Sequence, residues 1–349
     1  MPNEIVLALD GMGGDQAPKM VVRGANIARV RHPHVRFLLF GDENAIAPHL
    51  RRYGKLAQVC EVRHTSEMIG ANDKPSQAIR KGRQSSMRLA IDAVDKGEAH
   101  GVVSAGNTGA LMVLARLVLK TLPGIDRPAM GSIFPTQRGE SVMLDLGANI
   151  ECNAHELVQF AVMGEVFART VLGVPRPSVG LLNVGSEELK GGETLRQAAQ
   201  FLRESGLPIN FHGFIEGDDI AAGTVDVVTT DGFTGNVALK TAEGTARLYS
   251  EFLRSAFKRS ILARIGYLLA RPALRKLRER VDPRAYNGAM FLGLNGVTVK
   301  SHGGTDHKGF ANALDVAIDM LTQGVNPKII EELSKLGLQG LQEPRRAAL

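Results

Sequence analysis

The stretch Val179–Gly192 reads Val-Gly-Leu-Leu-Asn-Val-Gly-Ser-Glu-Glu-Leu-Lys-Gly-Gly. Its first half, Val179–Val184, is short and apolar, which predicts a buried strand. A glycine-rich polar loop containing Lys190 follows, and Glu193–Glu204 then has the apolar spacing of a helix, which ends before Gly206. This order predicts an α/β unit whose backbone N–H groups and helix N-terminus are placed to bind an anion.

Taken alone, this loop is more typical of an ordinary turn with a solvated lysine, because it lacks the Lys-Ser/Thr ending of a P-loop. Similar units recur along the chain, however. Predicted strands include Ile5–Asp10, Gly101–Ser104 and Val297–Lys300, and predicted helices include Lys19–Arg31 and His307–Gln323. Alternating strands and helices predict a mostly parallel sheet that is covered by helices on both faces.

Six polar loops follow predicted strands: Asp10–Asp15, Ser104–Gly109, Asp145–Asn149, Asn183–Gly192, Asp231–Asn236 and Ser301–Gly304. Ligands of parallel sheets bind at the carboxyl ends of the strands. One polar glycine turn is normally just a turn, but six suggest a site with many backbone donors. We therefore expect all six loops to converge on one edge of the sheet.

The composition narrows the classes of function. The chain has 349 residues and an apolar fraction of 44%, as in an ordinary globular protein of one or two domains. Two cysteines give neither a disulfide framework nor a zinc spacing, and no signal peptide or long apolar run is evident, so we expect a cytoplasmic location. Dinucleotide-binding, P-loop, serine-hydrolase and zinc-protease motifs are absent from the sequence, and we expect no cofactor and no metal ion.

The positive charge is concentrated in one segment. Arg254–Arg280 contains nine Lys/Arg and one Glu, a net charge of +8, so that the rest of the chain carries −2. This distribution predicts one basic surface and argues against nucleic-acid binding by the protein as a whole.

An apolar stripe runs through the same segment at helical spacing, made by Leu253, Phe257, Ile261, Ile265 and Leu269. A helix that is continuous over Val237–Ala270 would be about 50 Å long. Pro272 would break or kink it, and Ala273–Val281 could return as a second basic helix. We expect positions 1–236 and 285–345 to form one catalytic α/β domain, 237–284 to form a basic amphipathic arm, and 346–349 to be a tail. A membrane surface and a partner subunit are equally good partners for the stripe.

Together, the six loops resemble the bacterial phosphate acyltransferase (PlsX) family. The matching stretches are Asp10–Pro18, Ser104–Ala110, Asp145–Asn149, Asn183–Gly191, Asp231–Asn236 and Ser301–Gly303. The resemblance implies an acyltransferase that forms acyl-phosphate from acyl carrier protein (ACP) thioesters and inorganic phosphate. It also implies a Rossmann-like α/β/α three-layer fold similar to isocitrate and isopropylmalate dehydrogenases. A homodimer with peripheral membrane association is implied as well, feeding phospholipid synthesis through the membrane glycerol-3-phosphate acyltransferase (PlsY).

The residues agree with this chemistry. Phosphate is an anionic nucleophile at neutral pH, so its attack on a thioester requires positioning and oxyanion stabilisation rather than a covalent enzyme intermediate. We predict that Lys190 holds phosphate or the oxyanion, that Asn107 and Asn236 donate hydrogen bonds, and that His302 protonates the leaving thiolate. The predicted phosphate- and substrate-binding residues are Gly13, Gly14, Ser104, Gly106, Thr108, Asn149, Asn183, Gly185, Ser186, Asp231, Gly235 and Lys240.

Three alternatives stay open at this point. A phosphate acetyl- or butyryltransferase would use acyl-CoA instead of acyl-ACP. A dehydrogenase of similar fold would use a nicotinamide cofactor. A non-catalytic peripheral membrane scaffold would account for the basic arm but would leave the six loops unexplained.

Overall fold

The computed structural model describes residues 4–206, 208–280 and 282–335. The eleven strands that these residues form are β1 (Ile5–Asp10), β2 (Val35–Gly41), β3 (Cys60–His64), β4 (Gly101–Ser104), β5 (Ala129–Pro135), β6 (Glu140–Leu144), β7 (Ser178–Leu182), β8 (Asn210–Ile215), β9 (Val227–Thr229), β10 (Ala289–Leu292) and β11 (Val297–Lys300). They belong to one sheet, in the order β3-β2-β1-β4-β11-β10-β5-β6-β9-β7-β8.

Helices connect the strands. They are α1 (Lys19–Arg31), α2 (Glu43–Leu50), α3 (Gly54–Ala57), α4 (Pro75–Lys81), α5 (Ser86–Asp95), α6 (Thr108–Leu119), α7 (Ala154–Thr170), α8 (Glu193–Glu204), α9 (Gly217–Ala222), α10 (Gly232–Lys258), α11 (Ile261–Arg280), α12 (His307–Gln323) and α13 (Val325–Lys335). The predicted bounds of β1, β4, β11, α1, α8 and α12 are confirmed. Positions 336–345 of the expected catalytic domain and the expected tail at 346–349 lie outside the described residues.

The sheet contains two groups of parallel strands that point in opposite directions. β1, β2, β3, β4 and β11 run parallel, and so do β6, β7, β8 and β9. Between the groups, β11–β10, β10–β5 and β5–β6 are all antiparallel pairs. The sheet is therefore mostly parallel, as predicted, but three successive antiparallel pairings reverse its direction.

This reversal makes the prediction that all six loops converge on one edge wrong. The first loop group, which follows β1, β4 and β11, lies at one edge and comprises Asp10–Asp15, Ser104–Gly109 and Ser301–Gly304. The second loop group, which follows β6, β7 and β9, lies at the opposite edge and comprises Asp145–Asn149, Asn183–Gly192 and Asp231–Asn236. A sequence pattern cannot reveal this, because predicted strands carry no sign of the direction in which they pair.

The register nevertheless places the carboxyl ends of β11 and β6 at nearly the same row of paired residues across the sheet. Val299 of β11 pairs with Met290, Met290 with Gly131, and Gly131 with Leu144 of β6, so these residues share one row across the sheet. β11 ends one residue beyond this row, and β6 ends on it. The loops that follow β11 and β6 therefore leave the sheet on opposite sides of one central row.

Apolar cores cover both faces of the sheet. Along β1, Leu7 and Leu9 belong to one buried cluster, while Ala8 belongs to the cluster on the other face, as the alternation of strand side chains requires. α1, α7 and α12 contribute to the first cluster, and α5 and α6 contribute to the second. The predicted coverage by helices on both faces is confirmed.

The basic segment folds differently from the prediction. α10 begins at Gly232 rather than near Val237, because the Asp231 carboxylate caps the helix by accepting the Thr234 N–H at 2.8 Å. α10 ends at Lys258, and α11 begins at Ile261, where Ser260 Oγ accepts the Ala263 N–H at 3.1 Å.

The prediction of one continuous helix over Val237–Ala270 is therefore wrong, and Pro272 does not end a helix. The interruption falls at Arg259–Ser260 because the serine provides an N-terminal cap, and Pro272 lies exposed within α11. α11 contains the described part of the predicted returning helix, whereas Val281 lies outside the described residues. The rings of Phe257 and Tyr267 lie 5.4 Å apart and join the two helices. No helix in the described ranges is both long and apolar enough to cross a bilayer.

Candidate active site

Asp10 organises the first loop group. Its carboxylate is 2% exposed and accepts hydrogen bonds from Ser86 Oγ at 2.6 Å and from Ser104 Oγ at 2.7 Å. Ser104 Oγ in turn accepts the Gly106 N–H at 3.0 Å. Burial raises the pKa of the Asp10 carboxyl above its ordinary value, while the hydroxyl donors oppose the shift. The network fixes the ends of β1 and β4 relative to each other.

Close backbone packing joins the three loops of this group. A Cβ on Gly13 would lie 2.5 Å from Asp10 Oδ2 and 2.6 Å from the Gly106 nitrogen, so only glycine fits. Gly14 has a φ of +101°, and the next residue, Asp15, donates its N–H to the Gly303 carbonyl at 3.0 Å. The structure thus brings the predicted residues Gly13, Gly14, Ser104 and Gly106 together with the loop that carries His302.

Lys300 is a candidate residue that the sequence analysis missed. It ends β11 with 7% exposure, pairs in register with Ser104, and lies on the sheet face that Ser104 and Asp10 share. Its Nζ donates to the Ser301 carbonyl oxygen. Burial lowers the pKa of Lys300 to about 8, although the negative charges of Asp10 and Asp15 oppose this shift. A lysine that ends an otherwise apolar buried strand is the sequence signal that would have found it.

Charged groups from both halves of the sheet act on His302. Its backbone N–H donates to Asn287 Oδ1 at 2.9 Å, and its Nδ1 accepts the Gly304 N–H at 3.2 Å. Burial lowers the pKa of His302, and the positive charges of Lys300 and Lys240 lower it further. The imidazole is therefore neutral near pH 7, with its proton on Nε2. Lys240 belongs to α10, so a helix from the other half of the sheet contributes to the electrostatic surroundings of the first loop group.

Asp145 plays the corresponding organising role in the second loop group. Fully buried, it accepts the N–H groups of Met130, Gly147, Ala148 and Asn149 at 2.7–3.1 Å. Burial raises the pKa of its carboxyl above the ordinary value.

The predicted binding residue Asn149 is used internally. Its Nδ2 donates to Asp145 Oδ2 at 2.9 Å and to the Pro128 carbonyl at 2.8 Å, and its own carbonyl accepts the Gly232 N–H at 2.7 Å. A Cβ on Gly235 would lie 1.9 Å from the Asp145 carbonyl oxygen. Asn149 and Gly235 therefore hold the N-terminus of α10 against the loop after β6.

Two other predicted residues lie beside them. Asn236 lies next to Gly147, near the N-terminus of α10. Lys240 follows one turn later, and its Nζ donates to Glu243 Oε2 at 2.8 Å.

Lys190 lies apart from the first loop group. Its side chain is 55% exposed, and its Nζ is 4.0 Å from Glu187 Oε1. Asn183 Nδ2 donates to the Lys190 carbonyl at 3.2 Å, so Asn183 shapes the loop from within. Gly185 is buried and Ser186 is exposed. The hydrogen bonds and ion pairs that the described residues make to Lys190 all come from its own loop.

Asn107 is also committed to internal bonds. Its Oδ1 caps α6 by accepting the Ala110 N–H at 3.0 Å, and its Nδ2 donates to the carbonyls of Ala71 and Asp73, both at 2.9 Å. Thr108, the first residue of α6, is exposed. Asn107 thus ties the helix that follows Ser104 to the segment around Ala71.

An apolar groove of about 640 Å³ lies between α10 and the face of β5 and β6. Its lining includes Phe134, Met143, Leu182, Val237, Ala238 and Thr241, together with the polar Asn183. Ala238, which lines the groove, lies on the opposite side of α10 from Lys240 and Glu243, the two residues whose charges act on His302. One helix therefore separates a polar region from an apolar one.

Comparisons with known proteins identify the family and the fold of this chain. A family model described as "Fatty acid synthesis protein" matches residues 5–328. The phosphate acyltransferase of Rhodospirillum rubrum is 63% identical over 336 residues, 96% of each chain. That of Rhodospirillum centenum is 66% identical over 336 residues, 96% of this chain and 95% of the relative.

Solved structures show the same fold at low identity. A phosphotransacetylase from Streptococcus pyogenes superposes with a TM-score of 0.62 at 16% identity, covering 92% of this chain and 95% of that one. The EutD phosphotransacetylase from Staphylococcus aureus gives a TM-score of 0.58, also at 16% identity, covering 91% and 94%. The resemblance predicted from the six loops is confirmed, and this chain belongs to the phosphate acyltransferase (PlsX) family.

Proposed function

We propose that this protein forms acyl-phosphate from acyl-ACP and inorganic phosphate. One observation carries the proposal: α10 borders the polar surroundings of His302 on one side and an apolar groove on the other. A reaction between an oxygen-rich anion and a fatty acyl thioester needs these two environments side by side. Membership of the phosphate acyltransferase family supports the same reaction.

The chemistry is a single acyl transfer. A phosphate oxygen attacks the thioester carbonyl carbon and forms a tetrahedral oxyanion. The carbon–sulfur bond then breaks, and the sulfur leaves as the thiolate of the carrier. A thiolate is a good leaving group and takes its proton from solvent. Because burial keeps the imidazole of His302 neutral, the ring donates a hydrogen bond from Nε2–H to the departing sulfur rather than giving up its proton, which differs from the predicted role as a proton donor. Holding both reactants in place provides most of the rate enhancement, because neither reactant needs covalent activation by the protein.

The groove beside α10 takes the acyl chain. Its volume of about 640 Å³ lies within the range of about 300–1,000 Å³ found for small-molecule sites. Its lining is mostly apolar, including Phe134 and Met143, and it also contains Asn183 and three threonines. A largely apolar lining suits a hydrocarbon chain.

The thioester carbonyl lies near the N-terminus of α10. Asn236 and the positive end of the helix stabilise the oxyanion there, with Lys240 one turn further along. Lys190 supplies a cation from the loop after β7. Asn107 and Asn149 act by holding loops, since their amide groups are already used in internal bonds.

One experiment tests both the reaction and the identity of the carrier of the acyl group. Purified protein is incubated with phosphate and either palmitoyl-ACP or palmitoyl-CoA, and free thiol release and acyl-phosphate are measured. We expect phosphate-dependent thiol release with acyl-ACP. Faster turnover of the CoA thioester would favour the alternative of a phosphate acetyl- or butyryltransferase that uses acyl-CoA. A phosphotransacetylase has the same fold as this chain. Absence of thiol release from both donors would favour a non-catalytic scaffold.

The proposed homodimer and membrane contact rest on α10 and α11. Ile261, Leu262 and Leu269 are each at least 76% exposed, and Arg254–Arg280 carries the basic charge of the chain. We infer a protruding helical arm over 237–284 that joins a homodimer at its base and contacts a membrane at its tip. We also propose that positions 1–236 and 285–345 form one catalytic domain with a Rossmann-like fold similar to isocitrate and isopropylmalate dehydrogenases. Such an arm would deliver acyl-phosphate from the cytoplasm to the membrane enzyme PlsY for phospholipid synthesis.

A further inference from the structure

We propose that Lys300 binds the attacking phosphate, in an anion subsite that the first loop group forms around its ammonium. This inference rests on the proposed function for the identity of the anion. It rests on the structure alone for the choice of residue. Lys190, the lysine that the sequence favoured, lies exposed in the loop after β7, whereas Lys300 lies buried at the end of β11, beside Ser104 of β4.

The first argument is the unused hydrogen-bonding capacity of a buried charge. An ammonium has three N–H donors, and Lys300 Nζ has one hydrogen-bond acceptor, the Ser301 carbonyl, among the described residues. No carboxylate oxygen in the described ranges lies within 4.0 Å of it. Burying an ammonium without a paired anion costs free energy. Such an arrangement is typical of a functional site that an anion completes.

The second argument is that the Asp10 carboxylate already has hydrogen-bond donors other than Lys300. Register places Asp10, Ser104 and Lys300 side by side on the adjacent strands β1, β4 and β11, with Ser104 in the middle. The Asp10 carboxylate accepts hydrogen bonds from Ser86 and Ser104 rather than from Lys300. Asp10 therefore helps to balance the charge of the ammonium at a distance and leaves its remaining donors available.

The third argument is the position of the ammonium relative to the loops. Gly14 packs against Ala105 and against the carbonyl of Gly303, which brings all three loops around the end of β11. Helix α6 begins four residues after Ser104, and its N-terminus adds positive potential. Glycine-rich backbone, a helix N-terminus and a buried ammonium are together suited to bind a phosphate dianion.

Several charged groups lie around Lys300, so its charge state depends on whether an anion is bound. Asp10 and Asp15 face Lys300 from β1 and its following loop, and His302 faces it from the loop after β11. Lys240 and Glu243 face His302 from α10. A bound phosphate would stabilise the charged form of Lys300, and it would lie beside the imidazole of His302, which is placed to donate a hydrogen bond to the leaving thiolate.

Lys300→Met tests the proposal, with Lys55→Met on the exposed helix α3 as the matched control. Thermal unfolding is recorded with and without inorganic phosphate, without acyl donor, and the phosphate KM is then measured with acyl-ACP. We expect Lys300→Met to lose the phosphate-induced rise in Tm and to increase the phosphate KM by about 10- to 100-fold, as expected for removal of a charge-assisted hydrogen bond. Lys55→Met should behave like wild type, and Lys300→Arg should recover part of the phosphate response.

The stability of the variant separates a binding role from a structural one. Without phosphate, Lys300→Met should unfold at the same temperature as wild type or higher. Methionine has a shape similar to that of lysine but carries no charge that must be buried. A lower Tm would instead show that the hydrogen bond to Ser301 is structural, and it would overturn the proposal. An unchanged phosphate KM and Tm response would overturn it as well.

The readouts also distinguish this inference from the proposed function. If wild type gains stability from phosphate through Lys300 but releases no thiol from acyl-ACP, the anion subsite stands and the reaction is wrong. If thiol release depends on phosphate but is indifferent to Lys300→Met, the reaction stands and the subsite is wrong.

Discussion

Asn287 holds His302 in place. Its Oδ1 accepts the backbone N–H of His302 at 2.9 Å, while its Nδ2 donates to Ser301 Oγ at 2.8 Å and to the Gly309 carbonyl at 2.7 Å. The side chain is buried and precedes β10, so one amide joins the loop after β11 to the first turn of α12. The position of the imidazole thus depends on a residue that no sequence motif singled out.

Replacing Asn287 by alanine should therefore reduce both stability and turnover. The change leaves the His302 N–H and the Gly309 carbonyl without their partner, and we expect a loss of about 2–3 kcal/mol in the free energy of unfolding. Urea unfolding measures the loss, and turnover of acyl-ACP measures the effect on the site. Asn312→Ala is the control, because Asn312 makes its hydrogen bonds at an exposed position. Equal losses in the two variants would contradict the assigned role.

The buried ammonium of Lys300 makes stability depend on pH with a definite sign. Its pKa is about 8 in the folded protein, below the ordinary value of 10.5. Between these values the unfolded chain binds more protons, so the contribution of Lys300 to stability rises as the pH rises from about 8 to 10.5. Below pH 8 the charged lysine destabilises the folded state.

Comparing wild type with Lys300→Met isolates this dependence from other titrating groups. The variant should have its largest stability advantage near pH 7, and the advantage should shrink as the pH is raised through 8 to 10.5. Urea unfolding at several pH values measures the difference. A difference that stays constant over this range would mean that the lysine does not titrate with a lowered pKa.

Much of the fold was predictable because the apolar pattern and the caps lie in neighbouring residues. β1 and α1 were predicted with their observed bounds, since an apolar run and a following helical pattern are local signals. The reversal of the sheet was not predictable, because it depends on β5 and β10, which are far apart in the chain and pair with each other. The cap at Ser260 is a local signal too, but the prediction placed the interruption of the helix at Pro272.

The candidate site was predictable only at the level of its loops. Glycine positions such as Gly13 followed from the motif, and close packing there explains them. Asn107 and Asn149 also belong to the motifs, but their amides bond to backbone groups of their own surroundings. A motif does not reveal whether a polar residue contacts a ligand or holds a loop. The burial of Lys300 depends on the neighbouring strands and so required the three-dimensional arrangement.

Lys190→Ala should separate function from stability in the loop after β7. The side chain is more than half exposed, and its ion pair with Glu187 is long, so we expect the free energy of unfolding to change by less than about 0.5 kcal/mol. Turnover of acyl-ACP should fall by about tenfold or more if the lysine stabilises the reacting anion. Folded variant protein with wild-type turnover would remove Lys190 from the site.

The exposed stripe of α11 should determine attachment to membranes. Ile261 is 76% exposed and Ile265 is 49% exposed, and basic residues surround them. Replacing both by aspartate removes apolar contact worth about 1.5–3 kcal/mol per side chain if fully buried in lipid. It also adds negative charge that anionic lipids repel. We expect the double variant to lose co-sedimentation with vesicles of phosphatidylglycerol and phosphatidylethanolamine.

Val30→Asp is the matched control for this variant, since Val30 is 62% exposed on α1, outside the arm. It should keep vesicle binding. Analytical ultracentrifugation of both variants shows whether the stripe also joins subunits: loss of vesicle binding with an unchanged sedimentation coefficient would place the stripe at the lipid. A dissociated oligomer that still binds vesicles would instead assign Ile261 and Ile265 to a subunit interface, because aspartate in a buried apolar contact lacks a partner for its charge.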